Sequence, residues 1–178
     1  MKQLNKTVVL VGMMGAGKTS VGRRLAAILG APFRDADAEI EAAAGRTVNE
    51  IFERFGEAAF REGERKVLAR LLAEPPHILA TGGGAFMDPV TRARIKESAI
   101  SVWLKADIAL LLERVSRKDS RPLLRNSEPR ATLERLLKER EPTYAEADIT
   151  ILSDGGPQDT MVKRIIAALD DRMKDTAP

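Results

Sequence analysis

The 178-residue chain has no cysteine, which excludes disulfide bridges, thiolate metal sites and cysteine nucleophiles together. A cysteine-free chain suits a reducing compartment. Aromatic residues make up only 4%, with one tryptophan and one tyrosine, and histidine occurs once. His77 follows Pro75-Pro76 at the start of an apolar stretch and reads as structural, and Trp103 sits in a predicted central strand and reads as packing. No apolar run approaches the roughly 18 residues of a membrane span. The first apolar stretch, Val8 to Val11, is too short for the core of a signal peptide. A cytoplasmic location with no membrane contact is therefore the expectation. The formal net charge of +3 is too small to argue for nucleic acid, and no basic run is interleaved with aromatics. A modest excess of Arg and Lys equally suits a site for anionic ligands.

The composition is globular, 44% hydrophobic and 31% charged, and the length suits one domain over 1–178. Thr7–Val11 is a short β-branched run ending at a glycine, the pattern of a buried parallel strand. Lys18–Leu29 follows with helical spacing, placing Val21, Leu25, Ile28 and Leu29 on one face, and Gly30 stops it. Phe33 leads into Asp35-Ala36-Asp37 as a strand end, and a helix over 39–44 stops at Gly45. Thr47 with Glu50 forms a capping-box pattern for a helix carrying Val48, Ile51, Phe52 and Phe55. A longer helix is predicted over 57–73, closed by Pro75-Pro76. Further strands are predicted at 77–80, 100–104 and 149–152, and helices at 89–97, 107–114, 130–144 and 157–173. The polar, basic segment 116–129 is broken by two prolines and reads as a long loop. Short strands alternating with helices argue for an α/β sandwich around a parallel sheet. Such sheets bind ligands beyond the carboxyl ends of their strands. Gly12, Asp35 with Asp37, and Gly82 to Gly84 all follow predicted strands, which puts three separated motifs on one rim.

The first motif, Gly12-Met13-Met14-Gly15-Ala16-Gly17-Lys18-Thr19, fits G-x-x-x-x-G-K-[ST] between a strand and a helix. Its glycines let backbone N–H groups form an anion nest, and the helix N-terminus adds partial positive charge. Lys18 is then expected on the β- and γ-phosphates, and Thr19 on Mg²⁺. The second motif is Asp35-x-Asp37. On an extended segment the two carboxylates point to opposite sides, one to a metal and the other to a substrate hydroxyl; alternatively one or both cap the following helix. The third is Gly82-Gly83-Gly84, either a tight turn or a site of close backbone approach to a ligand. The fourth is a set of arginines, Arg61, Arg121 and Arg140, whose guanidinium forks can hold carboxylates or phosphates.

In order and spacing these motifs resemble the bacterial shikimate kinase family over most of the chain. The stretches that carry the resemblance are GMMGAGKTSVGRRLA, FRDADAEIE, GRTVNEIFERFGEAAFREGE, TGGGA, SRPLL and LLKEREPTYAEA. The resemblance implies a three-layer α/β/α P-loop kinase with a five-stranded parallel sheet and a mobile lid at about 116–129. It implies transfer of the γ-phosphoryl group of ATP to the 3-hydroxyl of shikimate, with Mg²⁺, in aromatic amino-acid biosynthesis. It further implies that Gly15, Ala16, Gly17, Lys18, Thr19 and Ser20 bind nucleotide, and that Thr19 and Asp35 serve the metal. Asp37 would bind the substrate hydroxyls and be placed to act as base. Arg61 and Arg140 would grip the carboxylate, and the Gly82, Gly83, Gly84 backbone would meet substrate. Arg121 would approach the transferring phosphates from the lid, while Arg114 and Pro157 would flank adenine. Asp154-Gly155-Gly156 departs from the family by lacking a basic residue just before Pro157. ATP and shikimate are the expected partners, and a monomer the expected state. A gluconate or nucleoside-monophosphate kinase, a non-catalytic relative and a regulatory GTPase are the competing readings. Arg61, Arg140 and the triple glycine weigh against the first, and intact Lys18, Asp37 and Arg121 against the second. The GTPase reading would want an Asn-Lys-x-Asp motif, which is not found.

Overall fold

The computed structural model describes residues 4–117 and 128–175. Five strands form one sheet in the order β2-β3-β1-β4-β5, and every pairing is parallel. The strands are β1 (Thr7–Val11), β2 (Phe33–Asp35), β3 (Ile78–Ala80), β4 (Ala99–Ala106) and β5 (Ile149–Ser153). The helices are α1 (Lys18–Leu29), α2 (Ala36–Ala44), α3 (Val48–Leu72), α4 (Pro89–Ser98), α5 (Ile108–Ser116), α6 (Pro129–Tyr144) and α7 (Gln158–Asp175). They cover both faces, giving three layers. α1 packs against α7, and α4 lies on β4 and against α3.

The central position of β1 follows from its side chains: Val8, Val9, Leu10 and Val11 are all fully buried. A strand without a polar face can sit only where helices cover both sides. Its register places Leu10 beside Ala80 and Val102, so the chain leaves β1, β3 and β4 on the same edge. The opposite edge is tied by Asp148, whose carboxylate accepts from the Ser101 backbone N–H at 2.9 Å and its hydroxyl at 3.0 Å.

The capping box at Thr47 and Glu50 is formed in both directions, at 3.1 Å each way. α3 is two helical pieces joined at Gly56, whose φ of 82° and ψ of 175° break the helix where the sequence separates two helical patterns. The second piece carries Arg61 and Glu64. Three expectations are revised. Ile28 is 54% exposed and does not share the buried face of α1 with Val21 and Leu25. Phe55, at the end of the first piece of α3, is also exposed, under the Arg46 guanidinium. A short 3₁₀ turn, Ala85–Met87, follows the glycine loop and was not foreseen. The predicted loop at 116–129 begins and ends in helix, with Ser116 in α5 and Pro129 in α6, and its residues 118–127 lie outside those described.

Candidate active site

A cleft of about 310 Å³ opens at the carboxyl ends of the strands. Its walls include Gly15 through Ser20, Asp35, Asp37, Gly82, Gly83 and Arg114. The loop after β1 turns through positive φ at Gly12, Gly15 and Gly17 and delivers its backbone to the N-terminus of α1. Lys18 is almost fully buried and folds back over the loop, donating from Nζ to the Gly12 carbonyl at 2.6 Å and the Met13 carbonyl at 2.9 Å. Arg114 reaches in from α5 and donates to the carbonyls of Gly15 and Ala16, each at 3.2 Å. In this state Arg114 braces the phosphate loop.

Asp35 ends β2 and caps α2, accepting from the backbone N–H of Asp37 at 3.0 Å and Ala38 at 3.2 Å. Its second oxygen accepts from the Thr19 hydroxyl at 2.8 Å. Asp37 lies in the first turn of α2, so the extended-segment picture of two opposed carboxylates is corrected. Helical phasing separates the two instead. Asp35 turns to Thr19, and Asp37 turns toward the glycine loop.

That loop is the tightest part of the site. It is anchored to β1 by Thr81, whose hydroxyl donates to the Leu10 carbonyl at 2.8 Å. A Cβ added at Gly82 would lie 3.0 Å from Asp37 Oδ1 and 3.2 Å from Glu64 Oε2. At Gly83 a Cβ would lie 3.1 Å from an Arg140 guanidinium nitrogen and 3.3 Å from the Met14 backbone nitrogen. At Gly84 the Arg61 guanidinium occupies the space a Cβ would take. The triple glycine therefore serves close approach, since side chains from α2, α3 and α6 all converge on its backbone.

Between these elements lies an unbalanced set of charges. Arg61 pairs with Glu64 at 2.8 Å, and Glu64 is only 3% exposed. Burial pushes the Glu64 carboxyl above its ordinary range; Arg61 opposes that, and nearby Asp37 adds to it. The second Glu64 oxygen and one guanidinium nitrogen of Arg140 are buried without hydrogen-bond partners among the described residues. A buried guanidinium donor left open is costly unless an acceptor arrives. Glu64 was not singled out from sequence, because it sits among Glu57, Glu62, Arg65 and Lys66 and reads as one more helix-surface charge. Tyr144 was also passed over, although it stands four residues after Arg140 on one helix face. Its hydroxyl donates to the Gly83 carbonyl. Pro157 is exposed, with Gly156 and Gln158 on either side of it lining the cleft. Arg121 lies outside the described residues.

Among the described residues no group of three or more His, Cys, Asp or Glu could hold a metal. Mg²⁺ asks for no such cage. It keeps several waters and takes phosphate oxygens, with one or two protein oxygens beside them. The Thr19 hydroxyl and Asp35 carboxylate, joined at 2.8 Å at the start of α1, are hard oxygen donors of that kind.

A glycine-rich loop leading into a helix N-terminus, with arginine and acidic side chains converging on a second glycine loop at the same rim of a parallel sheet, is the arrangement of a small-molecule kinase, and fold and site together assign the chain to that class. The comparison with known proteins narrows it. The shikimate kinase family model matches residues 14–170, and the chain belongs to the shikimate kinase family. A shikimate kinase from Caulobacter vibrioides is 60% identical over 164 residues, covering 92% of this chain and 82% of the relative. The solved shikimate kinase from Acinetobacter baumannii in complex with shikimate superposes with a TM-score of 0.92 at 41% identity, covering 94% of each chain. A gluconokinase from Sinorhizobium meliloti shares the fold alone, at 19% identity and a TM-score of 0.63 over 98% of this chain and 97% of that one.

Proposed function

We propose that this chain transfers the γ-phosphoryl group of ATP to the 3-hydroxyl of shikimate, giving 3-phosphoshikimate and ADP, and that the cleft residues divide the work as follows. The loop 12–19 binds the nucleotide phosphates through its backbone N–H groups. Lys18 exchanges the carbonyls of Gly12 and Met13 for β- and γ-phosphate oxygens. Thr19 and Asp35 would hold Mg²⁺, which would supply charge neutralisation at the phosphate oxygens. Asp37 accepts the hydrogen bond of the attacking hydroxyl and takes its proton. Arg140 and Arg61 receive the shikimate carboxylate, and Glu64 holds Arg61 in place. Gly83, pressed between Met14 and Arg140, sets the distance between acceptor and phosphates. Arg121 supplies further positive charge at the phosphates, and Arg114 and Pro157 flank the adenine.

The observation that carries this reading is the open guanidinium nitrogen of Arg140. It faces Gly83, 3.1 Å from where a Cβ would be, and the Met14 backbone nitrogen of the phosphate loop lies 3.3 Å from the same point. A small carboxylate can occupy that position, and phosphoryl transfer depends on such positioning more than on covalent help. One continuous hydrophobic core supports a single domain. The test is an ADP-release assay with shikimate, gluconate and several nucleoside monophosphates as acceptors. Turnover with shikimate alone is expected. Equal or better turnover with gluconate or a nucleotide would overturn the acceptor assignment.

A further inference from the structure

The carbonyl of Gly83 is held from behind the glycine loop by a side chain of α6. Tyr144 donates its hydroxyl to that carbonyl from the last turn of α6, and no part of Tyr144 is exposed. Its ring stacks on Trp103 of β4, with centroids 5.7 Å apart, so it has no freedom to follow a moving loop. Burial raises its hydroxyl above the ordinary 10.0, with the Arg140 guanidinium the largest opposing influence, so it stays a protonated donor through neutral pH. Arg140 lies one turn earlier on the same face of α6 and meets the same glycine from another direction.

From these contacts we infer that Tyr144 is a positioning residue for the acceptor. It fixes the plane of the 83–84 peptide and thereby the seat between Arg61 and Arg140. A trans peptide directs its N–H opposite to its carbonyl, so holding the Gly83 carbonyl also fixes the direction of the Gly84 N–H. Gly84 is where the Arg61 guanidinium packs on the backbone, and Gly83 is where Arg140 does. A rotation of this one peptide would therefore move both arginines relative to each other. The phosphate-side side chains take their contacts elsewhere: Lys18 donates to the Gly12 and Met13 carbonyls, and Thr19 to Asp35.

This inference rests on the acceptor reading given above. Its test is Tyr144→Phe in the full chain, which keeps the ring and removes only the donor. Steady-state kinetics with shikimate and ATP varied in turn, calorimetric titration with shikimate, and the thermal midpoint are measured beside the wild type. The KM and Kd for shikimate are expected to rise about tenfold, while the KM for ATP stays within about twofold. A lower midpoint with unchanged shikimate constants would make Tyr144 merely structural and overturn the inference. So would equal rises in both KM values. Wild-type chain that shows no turnover with shikimate would instead sink the acceptor reading itself, and the inference with it.

Discussion

Arg140 is nearly buried, and one of its guanidinium nitrogens, carrying two of its five donors, has no hydrogen-bond partner among the described residues. Arg140→Lys retains the charge but loses the fork, so the KM for shikimate is expected to rise about ten- to a hundredfold with the KM for ATP little changed. Arg121→Ala is expected to lower kcat by about a thousandfold with a much smaller effect on ATP binding, checked by kinetics and nucleotide titration. Glu64 gives a different handle. Its folded-state pKa is raised above the ordinary 4.5, so the folded chain holds that proton more tightly than the unfolded chain. The stability that protonated Glu64 contributes is present below 4.5 and is lost as pH rises through the raised value. Glu64→Gln cannot ionise and escapes that loss. The difference in thermal midpoint, variant minus wild type, should grow as pH climbs above 4.5, and a pH-independent difference would count against this account.

At the scale of elements, local rules carried far. β1 and α1 were legible to the residue, since an apolar run, a glycine loop and a periodic helix follow one another without ambiguity. The capping box at Thr47 and the Asp88-Pro89 helix start were legible for the same reason, each being a local hydrogen-bond pattern written in adjacent residues. Asp37 was misplaced because Asp-Ala-Asp fits a strand end and a helix first turn equally well. The Asp35 side chain, capping the backbone N–H groups of Asp37 and Ala38, decides for the helix. Glu64 was invisible because the glycine loop it lies against, at Gly82, is 18 positions away, a relation no window of helix periodicity contains. The break at Gly56 makes a further expectation. Its φ and ψ fall in a region nearly reserved for glycine, and a Cβ there would meet nothing within 4 Å. Gly56→Ala is therefore a backbone effect without a steric one, expected to cost about 1–3 kcal/mol in denaturant unfolding.

Over the whole molecule the two rims of the sheet have separate duties. The carboxyl ends of the strands hold the site. The opposite rim holds Asp148, which binds Ser101 twice and reaches Arg172 of α7 at 2.5 Å. Asp148→Ala leaves the buried Ser101 N–H without its acceptor, at a cost of about 2 kcal/mol, or several degrees in thermal midpoint. Activity below that midpoint is expected to stay near wild type. A proportional loss of kcat at 25 °C would show that the two rims are not independent.

The stacked pair behind Gly83 has an optical consequence. Trp103 and Tyr144 are the only tryptophan and the only tyrosine in the chain, and they touch each other. The Trp103 ring also lies 3.4 Å from where a Cβ on Gly12 would be, so it backs the phosphate loop as well as the glycine loop. Nearly all the near-ultraviolet absorbance and emission of the molecule therefore originates behind the phosphate and glycine loops, with energy passing from the phenol to the indole over one ring spacing. Emission excited at the indole band is therefore expected to change when nucleotide or acceptor binds against those loops, a titration that needs no label.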